Sequence, residues 1–160
     1  MILFHGSLQI VEQPRILTPT RTLDYGAGFY TTTSEQQAKD WVLRKISGQN
    51  AGYVNVYDFD DEMSAHLVRL NFNNPPDEDW VDFVYANRTQ RGFEHKYDLV
   101  YGPVANDRVY AAFSLFEQGL LSKRELISEL SSYKLIDQML FHTEESLKVL
   151  KFIEAKEVRR

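Results

Sequence analysis

The ten residues Asp24-Tyr25-Gly26-Ala27-Gly28-Phe29-Tyr30-Thr31-Thr32-Thr33 constrain this chain more than any other stretch. Two glycines flanking an alanine permit a sharp turn and a close approach of backbone to a neighbour or ligand. The Phe29-Tyr30-Thr31-Thr32 run that follows is strand-prone. Ser34-Glu35-Gln36-Gln37 then has the form of a capping box, with Ala38, Trp41, Val42 and Ile46 at helical spacing until Gly48. A turn, a short strand and a helix of about three turns are expected in direct succession. A dinucleotide-binding fingerprint is excluded: it needs a third small residue where this chain has Thr31, and a strand ahead of the glycines where it has Thr18-Pro19-Thr20-Arg21. What the stretch offers is an aromatic residue, Tyr30, presented from a strand edge beside a glycine turn.

The remaining elements can be read in order. Ile2-Leu3-Phe4-His5-Gly6-Ser7 is an apolar run ending in a histidine and a glycine, which suits a buried strand whose end opens onto a site. A lone histidine there is as readily a hydrogen-bonded structural residue. Tyr53 to Tyr57 and His66 to Phe72 alternate as two antiparallel strands, with Asp58-Phe59-Asp60-Asp61 as a turn between them. Pro75-Pro76-Asp77 starts a helix carrying Trp80, Phe83 and Val84. Tyr97 to Val104 reads as a strand stopped by Gly102-Pro103, and Asp107 as the N-cap of a helix bearing Val109, Ala112, Phe113 and Phe116. Ser122-Lys123-Arg124-Glu125 is a second capping box. A strand from Ile136 to Phe141 and a final helix from Thr143, with Leu147, Leu150 and Ile153 inward, complete the chain. Strands and helices without regular alternation indicate an α+β fold.

Composition removes several classes of function. The chain has 160 residues, 43% of them hydrophobic and 13% aromatic, and neither repeat, linker nor low-complexity tract interrupts it, so a single domain over residues 1–160 is expected. A formal charge of −5 argues against a broad surface for coating nucleic acid but leaves a local basic pocket open. There is no cysteine, and the four histidines, His5, His66, His95 and His142, lack ligand spacing, so no metal site is expected. No apolar run can span a bilayer, and the first strand leaves no room for a leader; a cytoplasmic location without membrane attachment is expected.

Taken together, His5-Gly6 at the end of the first strand, Gly26-Ala27-Gly28-Phe29-Tyr30 in the second and Gln138 opening a late strand resemble the ordered motifs of the ADP-ribosyltransferase superfamily. Members with a His-Tyr-Glu triad carry glutamate where this chain has Gln138. Trp41, eleven residues after Tyr30, matches the offset of a second ring-stacking aromatic in the poly(ADP-ribose) polymerase branch, although a core anchor for its helix would equally explain it. Within the superfamily the chain resembles a bacterial group known as domain of unknown function 3990, through His5 to Ser7, Gly26 to Tyr30, Gly102 to Asp107 and Phe141 to Glu144.

The resemblance implies an ADP-ribosyltransferase-like split β-sheet with flanking helices, and NAD as co-substrate. His5, Tyr30 and Gln138 would be catalytic: His5 on a ribose hydroxyl, Tyr30 stacked on the nicotinamide ring, Gln138 on the nicotinamide ribose. Gly6, Ser7, Gly28, Trp41, Asn106 and Asp107 would contribute to NAD binding, with Arg21 and Arg88 as candidates for the pyrophosphate. Helix capping alone would also account for Asp107, and a solvated surface position for either arginine. An amide at 138 supplies a dipole in place of a charge, which favours single ADP-ribose transfer over chain elongation, or NAD binding without turnover. The expected function is mono-ADP-ribosylation of an intracellular macromolecule, protein or nucleic acid. By analogy the chain is expected to be the toxin of a toxin–antitoxin pair with a small antitoxin partner, or a phage-defence effector. A catalytically silent NAD- or partner-binding module is the alternative.

Overall fold

A computed structural model describes residues 1–16, 25–48, 50–90, 94–103 and 107–160, the side chain of Asp107 excepted. In chain order the elements are β1 (Ile2–Ser7), β2 (Phe29–Thr32), α1 (Glu35–Lys45), β3 (Gly52–Phe59), β4 (Arg69–Asn71), α2 (Glu78–Thr89), β5 (Leu99–Pro103), α3 (Asp107–Glu117), α4 (Lys123–Ser131), β6 (Asp137–Phe141), α5 (Glu144–Leu147) and β7 (Leu150–Val158). The fold is α+β: five helices accompany one mixed seven-stranded sheet of order β4-β5-β6-β2-β1-β3-β7. Among the described residues only the β4–β5 pair is parallel.

Period-2 alternation divides the sheet residues between two faces. One face carries Leu3, Phe29, Tyr57, Phe59, Leu99, Met139 and Phe141, which form one core with Leu147 and Val149. The other face carries two cores. On the β1–β3–β7 side, α1 lays Ala38, Val42 and Ile46 on Val54, Val56 and Val158. On the β5–β6 side, α2, α3 and α4 bury Trp80, Val84, Phe113, Leu126 and Leu130 against Val100 and Leu140. Full burial of each such side chain is worth about 1.5–3 kcal/mol, so these clusters fix which face each helix covers.

Local chemistry sets the helix ends. Ser34 Oγ accepts from Gln37 N–H and starts α1, while the Gln37 side chain turns to the Thr32 hydroxyl, leaving the capping box half formed. Asp77 caps α2 through Trp80 N–H, and Ser122 with Glu125 forms a complete capping box for α4. Close contact of α1 with the strands requires glycine at two places. A Cβ on Gly6 would lie 2.5 Å from the Ala38 carbonyl oxygen, and one on Gly52 would lie 2.3 Å from Val42 Cγ1.

Two elements differ from expectation. Residues 150–158 form an edge strand where a helix was expected; β7 pairs with β3 from Phe59↔Leu150 to Gly52↔Val158. Ile153 is an extra residue there, between the pairs Tyr57↔Phe152 and Val56↔Glu154, and it is exposed. This bulge interrupts the alternation that would reveal a strand. Likewise β3 continues through Phe59, and β4 does not pair with it: a 3-10 turn at Met63–His66 carries the chain across to β5 at the far edge of the sheet.

Candidate functional site

The site is built around an interrupted ladder. β1 pairs with β3 along its whole length, from Ile2↔Asp58 to Ser7↔Tyr53, but with β2 only at Phe4↔Thr32. Beyond that pair the strands part. The His5 side chain enters the opening, and its Nδ1–H donates to the Tyr30 carbonyl oxygen at 2.7 Å, taking an acceptor that a continued ladder would have used. The ring also packs on Phe29, with centroids 4.3 Å apart. Burial pushes the His5 pKa down, against the smaller upward pull of the bond to Tyr30, so the imidazole is neutral. With its proton on Nδ1, Nε2 is an acceptor, and among the described residues it has no partner.

Register places His5 and Tyr30 on opposite faces. His5 lies with Leu3 and Phe29, whereas Tyr30 lies opposite Leu140, and Thr32 lies between Phe4 and Gln138. Tyr30 and Gln138 therefore share the helix-covered face, along the seam between its two cores, while His5 lies on the other face beside the opening between β1 and β2. The Tyr30 hydroxyl donates to the Gly26 carbonyl at 2.6 Å and accepts from Tyr25 N–H at 3.3 Å, which fixes its ring against the preceding turn.

Gln138 is 5% exposed, and among the described residues its side-chain amide has no hydrogen-bond partner. Its polar neighbours are already engaged. Across one strand pair, Thr32 donates to Gln37 and accepts from Ser34 N–H. Across the other lies Gly102, over which the Tyr25 hydroxyl sits, donating to the Pro103 carbonyl at 2.8 Å and accepting from Trp80 Nε1. The small exposure of Gln138 leaves its amide in contact with solvent, a contact that a ligand entering the seam would replace with hydrogen bonds.

The other sequence candidates fall in different places. Gly6 lies beneath α1, and Ser7 Oγ accepts from Gln9 N–H at 3.1 Å. Gly28 faces the end of β6, where a Cβ would lie 2.6 Å from the Phe141 carbonyl oxygen. Trp41 stands outside the Ala38–Val42–Ile46 stripe, 38% exposed, with Lys45 Nζ 5.7 Å from its ring centre, so it is not the core anchor of α1. Arg88 ties α2 to α3, bonding Glu117 at 2.9 Å with its guanidinium over Tyr110 and Phe113. Arg21 and Asn106 lie outside the described residues, and Asp107 begins α3. Among the described residues no group of three or more His, Cys, Asp or Glu side chains is placed to hold a metal ion, and no helix is long and apolar enough to cross a membrane.

Sequence reasoning passed over His95 and His142, which both contact the glycine turn. His142 Nδ1 donates to the Ala27 carbonyl at 2.6 Å and His95 Nε2 to that of Tyr25 at 3.2 Å. The available signal was the Phe141-His142-Thr143-Glu144 motif, whose histidine follows directly on a buried strand.

An interrupted antiparallel pair within an α+β sheet, flanked by a neutral histidine, a fixed tyrosine and an amide without a partner among the described residues, defines a candidate small-ligand site at a strand opening. The chain belongs to the family described as protein of unknown function (DUF3990), whose model matches residues 1–152. No curated protein and no solved structure matches it.

Proposed function

We propose that this chain is an NAD-dependent mono-ADP-ribosyltransferase of the ADP-ribosyltransferase superfamily, with a split-sheet fold of that kind, acting on an intracellular protein or nucleic acid. The observation that carries the reading is the Gln138 side chain, 5% exposed and without a hydrogen-bond partner among the described residues, in the seam beside the β1–β2 opening. An amide there can accept from one hydroxyl and donate to another oxygen, as a ribose requires. His5 Nε2 is an acceptor for a second hydroxyl, and the strand edges that part beyond Phe4 leave backbone groups for a carboxamide. Tyr30 offers an aromatic face whose hydroxyl is already satisfied.

When bound, the dinucleotide supplies the bond between nicotinamide and ribose: its electron pair leaves with the ring, and a target atom that gives up its proton closes on the ribose carbon. The contribution of the protein is to orient, to exclude water and to direct dipoles at the charge that develops on the ribose. A toxin or phage-defence role, with a small antitoxin as partner, rests on the family analogy.

A second reading, a silent NAD- or partner-binding module, is favoured by the lack of a described carboxylate to supply that charge. Asp137 is held by Asn74 and Tyr101, Glu117 by Arg88, and Glu145 by Lys148. Incubation with labelled NAD separates the two. Free nicotinamide together with label on a macromolecule supports transfer, binding without release supports the silent module, and neither would refute both.

A further inference from the structure

The turn that carries Tyr30 is held through three consecutive carbonyls. Those of Tyr25, Gly26 and Ala27 accept in order from His95 Nε2, the Tyr30 hydroxyl and His142 Nδ1, at 3.2, 2.6 and 2.6 Å. The fit leaves no slack. A Cβ on Gly28 would approach His142 Nδ1 to 3.0 Å, and Gly26, at φ +86°, lies with its Cα 's open side against Asn87 Oδ1. The two imidazoles meet edge to face with centroids 4.3 Å apart, and Phe83 and Tyr97 close the box around His95.

Both rings are committed to one tautomer. His95 donates from Nε2 and accepts Tyr97 N–H at Nδ1, so neither nitrogen has room for another proton. His142 donates from Nδ1, and its Nε2 is buried without a partner among the described residues. A proton added there would have no acceptor and would place a cation against the His95 ring.

We infer that His142 and His95 are positioning residues for Tyr30: neutral imidazoles that clamp the Gly26–Gly28 turn, and thereby the tyrosine ring at the proposed nicotinamide site, and that release it when protonated. This inference rests on the proposed function for its ligand but not for its geometry. The titratable groups facing His142 are His95 and Asp98; the carboxylate of Asp98 accepts from Thr143 Oγ1 and from Val68 N–H. Burial lowers the pKa of both histidines; for His142 the bond to Ala27 acts the other way, His95 adds to the lowering and Asp98 opposes it, and the net is a pKa of about 4. The turn is therefore locked at neutral pH and opens in acid. The same contacts account for the histidine of the Phe141-His142-Thr143-Glu144 motif, which the proposed chemistry leaves without a task.

The experiment uses the full chain with tyrosine labelled by carbon-13 at Cζ, with the Tyr30 resonance assigned by Tyr30→Phe. In the native chain that resonance should move with the same midpoint as the His142 ring protons. His142→Gln keeps a donor for Ala27 without titrating, and should hold the neutral-pH position across the range. His142→Leu should displace the resonance at pH 7 and weaken NAD binding about tenfold, the loss expected for one hydrogen bond that fixes a binding group. A Tyr30 resonance that ignores both the His142 titration and the Leu substitution would overturn the inference. If no variant binds NAD, the proposed function fails, while the resonance still decides the clamp.

Discussion

Replacing Gln138 by methionine should make the protein more stable and worse at binding NAD. The side chains are of similar length and volume, and methionine adapts to irregular space, so the volume filled between Thr32 and Gly102 is retained. What is removed is an amide with no described partner that keeps only a small contact with solvent, Gln138 being 5% exposed as a residue. A buried polar group without a partner costs about 1–3 kcal/mol relative to an apolar group of the same shape. The amide's contact with solvent reduces this to about 1 kcal/mol at most, or no more than about 2–4 °C in melting temperature for a chain of this size. Urea unfolding at pH 7 measures it, with an unchanged slope as the check that both proteins unfold from comparable states. Titration calorimetry on the same samples should show NAD affinity reduced at least tenfold. A methionine variant that is less stable by 1 kcal/mol or more would mean that the Gln138 amide is satisfied within the fold, and the argument for a ligand there would collapse.

Two further outcomes follow from the same contacts. Stability should fall as the pH drops from about 6.5 toward 4: His5, His95 and His142 all have folded-state pKa values below the ordinary histidine value, so the unfolded chain binds protons that the folded chain refuses. For His142, with its pKa near 4, the loss reaches about 2.5 kcal/mol by roughly pH 4.5, and the difference in urea stability between pH 7 and pH 4.5 should shrink by about that much in His142→Gln. Gly6→Ala should destabilise by about 1–3 kcal/mol, because its methyl would meet the Ala38 carbonyl oxygen at 2.5 Å and force α1 off β1; thermal melting that matches the native chain would show that α1 yields freely.

Much of the fold was legible because local chemistry and tertiary demand agree. Ser34, Asp77 and Ser122 cap the helices they announce, and the stripes Ala38–Val42–Ile46 and Leu126–Leu130 face the cores they suggest. The terminal strand was not, since Leu150, Glu154, Ala155 and Lys156 are good helix formers and the bulge at Ile153 breaks the period of two. Pairing with β3 overrides those propensities. At the site, the chain order marked His5, Tyr30 and Gln138, but which face each occupies depends on register, and register is decided by partners dozens of residues away. Gly6 and Gly28 looked like ligand-approach glycines, whereas each also has a packing neighbour that demands it, Ala38 and Phe141. The two turn-clamping histidines carried no spacing signal, because His95 and His142 are 47 positions apart in the numbering and meet only when β5 and β6 pair.

The most direct test of the central claim is nicotinamide release from NAD by the native chain, Gln138→Ala and Gln138→Glu under one protocol. If Gln138 holds the ribose, the native chain turns over, alanine slows it about ten- to a hundredfold, and glutamate, by restoring a charge beside the developing cation, keeps or raises the rate. Identical non-zero rates in all three proteins would contradict the account and move the chemistry away from the β2–β6 seam.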